Sequence, residues 1–205
     1  MKTLAFVRHS ESVANVGNLL AGQSDFPLSD KGKSDALNLA ERLFRDFPVD
    51  KLFSSPLTRA LQTAEPLARL SGLVVVTNPA LMEQHIGVFT GWSYPDAEAD
   101  ARYEQDRTKR WEWAPPGGGE SYRAMAARIR PFFHRIDELP DGTTALCFTH
   151  AVTLRIIVGI LEDTLPAYPT GLTRNGEILA VDYQGLGRRH EIRSHYYGDQ
   201  TEGRE

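Results

Sequence analysis

The sequence predicts an α/β fold, a three-layer sandwich with a mostly parallel central sheet, helices on both of its faces and a C-terminal β-hairpin. The first observation is that short apolar or β-branched runs at residues 4–7, 52–53 and 73–77 alternate with amphipathic helical segments, the order that parallel strands and crossover helices produce. The second is that two alternating runs, 177–183 and 190–195, lie near the end of the sequence and are separated by glycines, as in a hairpin.

Composition and charge fit an ordinary globular protein and exclude several classes of partner. With 205 residues, of which 41% are hydrophobic, we expect a single domain over residues 1–205, with residues 92–117 as a lid-like excursion over the site. The formal net charge of -4 gives no sequence-wide attraction for nucleic acid, and no apolar run approaches the length of a membrane span. The lone cysteine, Cys147, lies in an apolar run, so no internal disulfide can form and a cytoplasmic location is expected. The sequence carries no signal for the oligomeric state.

The first predicted strand, residues 4–7, runs without a spacer into Arg8 and His9. A charged pair at the end of a buried strand indicates a functional site, although a strand that has simply reached the solvent would look the same. The choice between these interpretations depends on what the other strands carry at their ends.

The next elements bring a second arginine to a helix N-terminus. Ser29 is predicted to cap a long helix. The apolar face of that helix consists of Ala36, Ala40, Leu43, Phe44 and Phe47. The second strand is followed by Ser55 as the predicted cap of the next helix and by Pro56 at its first position. Arg59 is therefore expected in the first helical turn.

The second half of the sequence places a histidine at a strand end in the same way. Residues 93–113 are charged and aromatic with helical character, and a run rich in Pro and Gly ends this excursion. A long helix is predicted over residues 121–138 and a buried strand over residues 143–148. Thr149 is predicted to cap the next helix, so His150 is expected at a helix N-terminus.

Five side chains follow predicted strand ends, which is where ligands bind in open α/β sheets. They are Arg8, His9, Arg59, Glu83 and His150. Guanidinium groups and free backbone N–H groups at helix N-termini suit phosphate oxygens, so this set predicts a pocket for a phosphoryl group. Four basic residues of the excursion could meet a second anionic group, although a charge run is more often a solvated face. They are Arg102, Arg107, Lys109 and Arg110.

Other phosphate-binding, hydrolase and metal motifs fit less well. Gly32-Lys33-Ser34 matches the end of a Walker loop, but Pro27 occupies a position that requires glycine. No serine stands in a G-x-S-x-G context. His9, His85 and His150 lack the usual spacings of metal ligands. The sequence therefore predicts phosphoryl transfer without a metal or other cofactor.

Six short blocks carry the strongest family signal in the sequence. They are Val7-Arg8-His9-Ser10-Glu11-Ser12 with Asn15; Gly22-Gln23-Ser24-Asp25-Phe26-Pro27-Leu28-Ser29; Ser54-Ser55-Pro56-Leu57-Thr58-Arg59-Ala60-Leu61-Gln62-Thr63-Ala64; Glu83 with Gly87, Gly91 and Trp92; Gly118-Gly119-Glu120-Ser121; and Thr149-His150. In this order, over nearly the whole chain, they resemble the histidine phosphatase superfamily, also called the phosphoglycerate mutase-like family. The combination is far more specific than any single block.

The resemblance implies a role for each member of the charged set. His9 would be the nucleophile and would become phosphorylated, and the phosphoryl group would be held by Arg8, Arg59 and His150. Glu83 would be the general acid for the leaving alcohol and then the general base for water. The implied substrate contacts are Asn15, Gly22, Gln23 and Ala151.

Two positions depart from the family pattern. Ser10 and Ala151 stand where the family usually has glycine, which reaches backbone angles that other residues adopt only at a cost. We therefore expect these two positions to affect the local loop geometry.

The expected function is that of a phosphatase whose partner is a small phosphorylated substrate. One alternative is a mutase that returns the phosphoryl group to its substrate, and another is a catalytically weak phosphate-binding pseudoenzyme. Taken singly, residues such as Glu83, Arg59, Asn15 and Gln23 would be ordinary surface or loop residues. Taken together with both histidines, they favour the enzyme.

Overall fold

The computed structural model describes residues 1–167 and 174–195, and their strands form one six-stranded sheet. The strands are β1 (Lys2–Arg8), β2 (Lys51–Ser54), β3 (Val75–Thr77), β4 (Thr144–Thr149), β5 (Ile178–Tyr183) and β6 (Ile192–His195). Their order is β3-β2-β4-β1-β5-β6, in which β1 to β4 are parallel, β5 is antiparallel to β1, and β6 is antiparallel to β5. The predicted mostly parallel sheet and C-terminal hairpin are confirmed.

Helices cover both faces of this sheet. They are α1 (Val13–Val16), α2 (Asp30–Asp46), α3 (Thr58–Ser71), α4 (Tyr94–Ala99), α5 (Tyr122–Asp137) and α6 (Ala151–Leu161). Short 3₁₀ turns occupy Pro79–Leu81, Gly87–Phe89 and Arg107–Trp111. Ser29 caps α2 as predicted, because its hydroxyl oxygen accepts from the backbone N–H of Gly32 at 2.9 Å.

The period-two alternation of β1 divides the hydrophobic core into two layers. Leu4 and Phe6 belong to a cluster with the apolar side chains of α5 and α6, whereas Ala5 and Val7 belong to a cluster with those of α2 and α3. A third, smaller cluster around Phe89 fixes the excursion. The three-layer arrangement therefore follows from burying both faces of the parallel strands.

The ends of several elements differ from the sequence-based expectation. The helix that carries Arg59 begins at Thr58 rather than at Pro56, because the strand before it continues through Ser54. The hydroxyl of Ser55 accepts from the N–H of Leu57 at 3.2 Å, before the helix begins. The third strand is shorter than expected and spans Val75–Thr77.

Two side chains also have roles that differ from the expected ones. Thr149 does not cap α6; its hydroxyl donates to the carbonyl of Leu81 at 2.7 Å, and His150 takes the cap position without a side-chain capping bond. Phe44 is 51% exposed, since it lies beside the buried stripe of α2 rather than within it.

The pairing of β1 with β4 is the feature of the fold that positions the site. Arg8 lies opposite Thr149, and the N–H of His9 donates to the carbonyl of Thr149 at 2.9 Å. The residues that follow the two strands, His9 and His150, are therefore neighbours. In the part of the chain that the structure describes, no helix has the length and hydropathy needed to cross a membrane.

Candidate active site

A cavity of about 500 Å³ opens at the carboxyl ends of the parallel strands. Its inner wall includes Arg8, His9, Arg59 and Glu83. His150 is fully buried against this wall, with its ring centroid 5.1 Å from that of His9. The structure thus brings together all five side chains that the sequence placed at strand ends.

His9 is held in one tautomer by its own loop. Its Nδ1 atom lies 2.7 Å from the carbonyl oxygen of Ser10, and a carbonyl can only accept, so Nδ1 carries the proton and Nε2 keeps a lone pair. Burial lowers the pKa of His9 well below its ordinary value, and the charges of Arg8 and Arg59 lower that pKa further. The imidazole is therefore neutral at physiological pH, the form that can act as a nucleophile.

Hydrogen bonds from three parts of the fold fix the backbone around His9. The N–H of His9 is bonded to β4, and its carbonyl accepts from the side-chain amide of Asn175 at 2.9 Å. The N–H of Ser10 donates to the hydroxyl oxygen of Thr63 on α3 at 3.0 Å. Asn175 was not identified from the sequence, since no motif surrounds it.

Ser10 and Ala151 adopt backbone angles that any residue can adopt. Among the described residues other than glycine, only Asn18 and Asp163 have positive φ. The two departures from the family pattern therefore cause no left-handed strain at the site. Position 22, in contrast, requires glycine, because the φ of Gly22 is 50° and a Cβ there would lie 2.6 Å from Cγ1 of Ile86.

Arg59 is oriented by the loop that precedes α2. The side chain is only 1% exposed, and its Nη1 and Nη2 atoms donate to the carbonyls of Ser24 and Gly22, both at 2.8 Å. Burial lowers the pKa of Arg59, and the Glu83 carboxylate opposes that effect. An arginine stays charged in proteins, so Arg59 presents a fixed cation to the cavity.

His150 is tied to the end of β2. Its Nε2 atom lies 2.8 Å from the hydroxyl oxygen of Ser55, while Nδ1 is buried without a hydrogen-bond partner among the described residues. Burial lowers the pKa of His150 well below its ordinary value, with further lowering by the charge of Arg59. An unsatisfied buried nitrogen is unusual in proteins, and a bound anion beside it would satisfy it.

Glu83 contacts the N-terminus of α6 through its carboxylate. Oε1 accepts from the N–H of Gln84 at 2.9 Å and from the N–H and the hydroxyl of Thr153 at 3.2 and 3.3 Å. Among the described residues, Oε2 accepts from the N–H of Val152, at 3.2 Å. Glu83 thus supplies the capping bonds that His150 does not make. Of the two carboxylate oxygens, Oε2 thus has the fewer hydrogen-bond partners among the described residues.

The predicted substrate contacts do not all face the cavity. Asn15, Gly22 and Ala151 line it, and the side-chain oxygen of Asn15 accepts from the N–H of Ser12 at 2.9 Å, which leaves its NH₂ group for a ligand. Gln23 is absent from the lining residues of the described cavity. Its amide donates instead to the carbonyl of Glu83 at 2.9 Å.

Aromatic and basic side chains also line the cavity, together with the carboxylate of Glu98. Tyr94, Tyr103 and Trp113 of the excursion line it. Arg110 also lines it, with its guanidinium 4.7 Å from the ring centroid of Tyr103 and its Nε donating to a backbone carbonyl at 2.8 Å. Arg155 of α6 also lines the cavity; it was not identified from the sequence, because the rest of α6 is mostly apolar.

The four basic residues considered for a second anion divide into two pairs. Arg107 and Arg110 line the cavity. Arg102 is bonded to Asp100 at 2.7 Å, and Lys109 lies 3.7 Å from Asp106. Residues 1–167 and 174–195 contain no cluster of three His, Cys, Asp or Glu side chains that could hold a metal ion.

Comparisons with known proteins identify the family and the fold of this chain. The family model described as histidine phosphatase superfamily (branch 1) matches residues 4–192. The chain is 33% identical over 175 residues to a 2,3-bisphosphoglycerate-dependent phosphoglycerate mutase of Gloeobacter violaceus, which covers 81% of this chain and 78% of the relative. It is 38% identical over 135 residues to glucosyl-3-phosphoglycerate phosphatase of Mycobacterium tuberculosis, covering 63% and 58%. The solved mycobacterial glucosyl-3-phosphoglycerate phosphatase with VO3 superposes with a TM-score of 0.85 at 28% identity, covering 94% of this chain and 98% of that one.

The two buried histidines make the stability of the protein sensitive to acid. Below the ordinary histidine pKa of 6.5 the unfolded chain binds protons at these positions that the folded chain does not, because the pKa of each is lowered on folding. We expect the free energy of unfolding to fall from about pH 6.5 downward, by at most about 1.4 kcal/mol per pH unit for each histidine. Denaturant unfolding between pH 7.5 and pH 5 measures this slope.

The variant His9→Gln/His150→Gln should show a shallower pH slope than the wild type. Exposed His134 on α5 provides a matched control, since His134→Gln should keep the wild-type slope. An unchanged slope in the double variant would contradict the neutral, buried state of both imidazoles.

Proposed function

Because this chain belongs to the histidine phosphatase superfamily, we propose that it hydrolyses a small phosphorylated metabolite through a phosphohistidine formed on His9. The observation that carries the proposal is the neutral imidazole of His9, whose Nδ1 is bonded to the Ser10 carbonyl while Arg8 and Arg59 line the same cavity. A lone pair on Nε2 beside fixed positive charge suits attack on a phosphorus atom.

The first step transfers the phosphoryl group to His9. The Nε2 lone pair attacks phosphorus, the P–N bond forms, and the bond from phosphorus to the ester oxygen breaks. Arg8, Arg59 and His150 stabilise the negative charge on the three equatorial oxygens. Glu83 gives its proton, carried on Oε2, to the departing oxygen, so the product leaves as a neutral alcohol.

The second step returns the enzyme to its starting state. The Glu83 carboxylate, now without its proton, takes a proton from a water molecule as that water attacks phosphorus. The P–N bond breaks, and its electron pair remains on Nε2 of His9. Inorganic phosphate then leaves, and Glu83 again carries a proton.

The basic residues that line the cavity in addition to Arg8 and Arg59 favour a substrate with a second anionic group. They are Arg107, Arg110 and Arg155, and they outnumber the one further carboxylate in the described lining, that of Glu98. The names of two relatives support the same substrate class, since glucosyl-3-phosphoglycerate and phosphoglycerate each carry a phosphate ester and a carboxylate on one glycerate unit. We therefore place phosphorylated carboxylic acids first among the candidate substrates.

A phosphoglycerate mutase activity is the second candidate, supported by the identity to the mutase of Gloeobacter violaceus. A mutase must keep its phosphohistidine from water while the acceptor turns, and this requires a tight cover over the site. Side chains of residues 92–117 line the cavity, and this excursion would supply the cover. The short cover favours hydrolysis. The pseudoenzyme alternative loses support, because Ser10 and Ala151 are unstrained.

Replacing the nucleophile should abolish turnover without unfolding the protein. We expect His9→Ala to lower kcat/KM by at least about 10⁴-fold, because no other group can form the covalent intermediate. The reaction is quenched by denaturation at neutral pH instead of by acid. Intact mass should then show one phosphoryl group on the wild type and none on the variant. The control His134→Ala should resemble the wild type, and appreciable turnover by His9→Ala would refute the assignment.

Replacing the general acid should matter most for esters with poor leaving groups. We expect Glu83→Gln to lower kcat/KM by about 10²- to 10⁴-fold for an alkyl phosphate and by much less for an activated aryl phosphate, whose leaving group needs no proton. The aryl ester serves as the internal control for folding and phosphate binding. An equal loss on both esters would count against Glu83 as the acid.

The fate of the phosphoryl group separates hydrolysis from isomerisation. The protein is incubated with 3-phosphoglycerate and a catalytic amount of bisphosphoglycerate, and both isomer interconversion and free phosphate are followed. We expect phosphate to accumulate faster than the isomer forms. Rapid interconversion with little phosphate would overturn the phosphatase assignment in favour of the mutase.

A further inference from the structure

Arg128 on α5 binds the backbone of the segment that carries Glu83. Its Nη1 atom donates to the carbonyls of Pro79, Ala80 and Met82 at 3.1, 2.9 and 3.2 Å. Its Nη2 atom lies 3.4 Å from the carbonyl of Glu83 itself. One guanidinium thus binds the backbone carbonyl oxygens of the turn that leads into the proposed general acid.

Glu120 fixes the guanidinium and extends the contact beyond Glu83. Its Oε1 accepts from Nε of Arg128 at 2.8 Å, and its Oε2 accepts from Nη2 at 3.1 Å, a two-point pairing in which both side chains are 21% exposed. Oε2 also accepts from the N–H of His85 at 3.0 Å. The ion pair therefore holds the chain on both sides of Glu83.

Two glutamine side chains also form hydrogen bonds around this segment. The buried side chain of Gln84 donates to the carbonyl of Glu120 at 2.6 Å. Gln23 donates to the carbonyl of Glu83 at 2.9 Å and lies 3.4 Å from Oε2 of Glu120. Residues 83–86 have no regular secondary structure, so these side chains supply the order that a helix or strand would otherwise provide.

We propose that Arg128, held by Glu120, is a positioning residue for the proton transfer at Glu83. The proposal rests on the phosphatase function proposed above. The carboxylate of Glu83 is set by α6 and its backbone by Arg128, so the acid is fixed at both ends. Proton transfer needs hydrogen-bond distances, and a shift of about 1 Å in a catalytic group costs up to about 100-fold in rate.

The test compares Arg128→Met in two backgrounds on two esters. Methionine keeps the apolar stem of the side chain and removes every donor. We expect Arg128→Met to lower kcat/KM for an alkyl phosphate by about 10- to 100-fold and that for an activated aryl phosphate far less. In the Glu83→Gln background it should cause no further change in the ratio of the two esters, because residues that act through one group are not additive.

Controls separate a positioning role from general damage to the fold. Arg130, exposed on the same helix two residues away, gives the matched variant Arg130→Met, which should resemble the wild type. If Arg128→Met does not fold, Arg128→Lys is the second variant. It keeps the charge beside Glu120 but cannot donate to all the carbonyls at once, so the loss of kcat/KM should again be larger for the alkyl ester, but smaller than in Arg128→Met.

Two outcomes would overturn the positioning role and leave the proposed function intact. Equal loss on both esters by folded Arg128 variants, or the same loss in the Glu83→Gln background as in the wild type, would show that Arg128 does not act through Glu83. A wild type that forms no phosphohistidine and releases no phosphate would overturn the proposed function itself, and the positioning role with it.

Discussion

The parallel pairing of β1 with β4 is the constraint on which the site depends. The register that sets Arg8 opposite Thr149 brings the next residue of each strand, His9 and His150, to the same point of the sheet edge. A shift of one residue in this pairing would turn the alternating apolar side chains of β1 to the wrong layers. The two hydrophobic clusters that enclose the sheet therefore also fix the geometry of the two histidines.

The electrostatics of the cavity oppose the stability of the folded protein. Arg59 is buried and Arg8 is half-buried, close to each other and to two imidazoles, so desolvation and like charge act together. The loop carbonyls of Gly22 and Ser24 offset part of this cost at Arg59. A dianionic phosphoryl group would compensate the rest, which is the usual balance between stability and function in a binding site.

Glu83 has both a structural role and a proposed chemical role at the site. Its carboxylate satisfies the N–H groups of Val152 and Thr153 at the start of α6, and so takes the part of a helix cap that His150 does not supply. The same contacts hold it at the cavity wall. One side chain thus stabilises a helix and is available for acid–base chemistry.

Patterns that depend on neighbouring residues were determined by the sequence alone. The alternation in β1, the cap at Ser29 and the strand-end positions of the charged set are local, because strand period, helix capping and strand order act over a few residues. Tertiary structure decided the supports of the site. Arg128 lies 45 residues from Glu83, and Asn175 lies 166 from His9. Such contacts form only when distant segments pack together, so no local pattern in the chain could predict them.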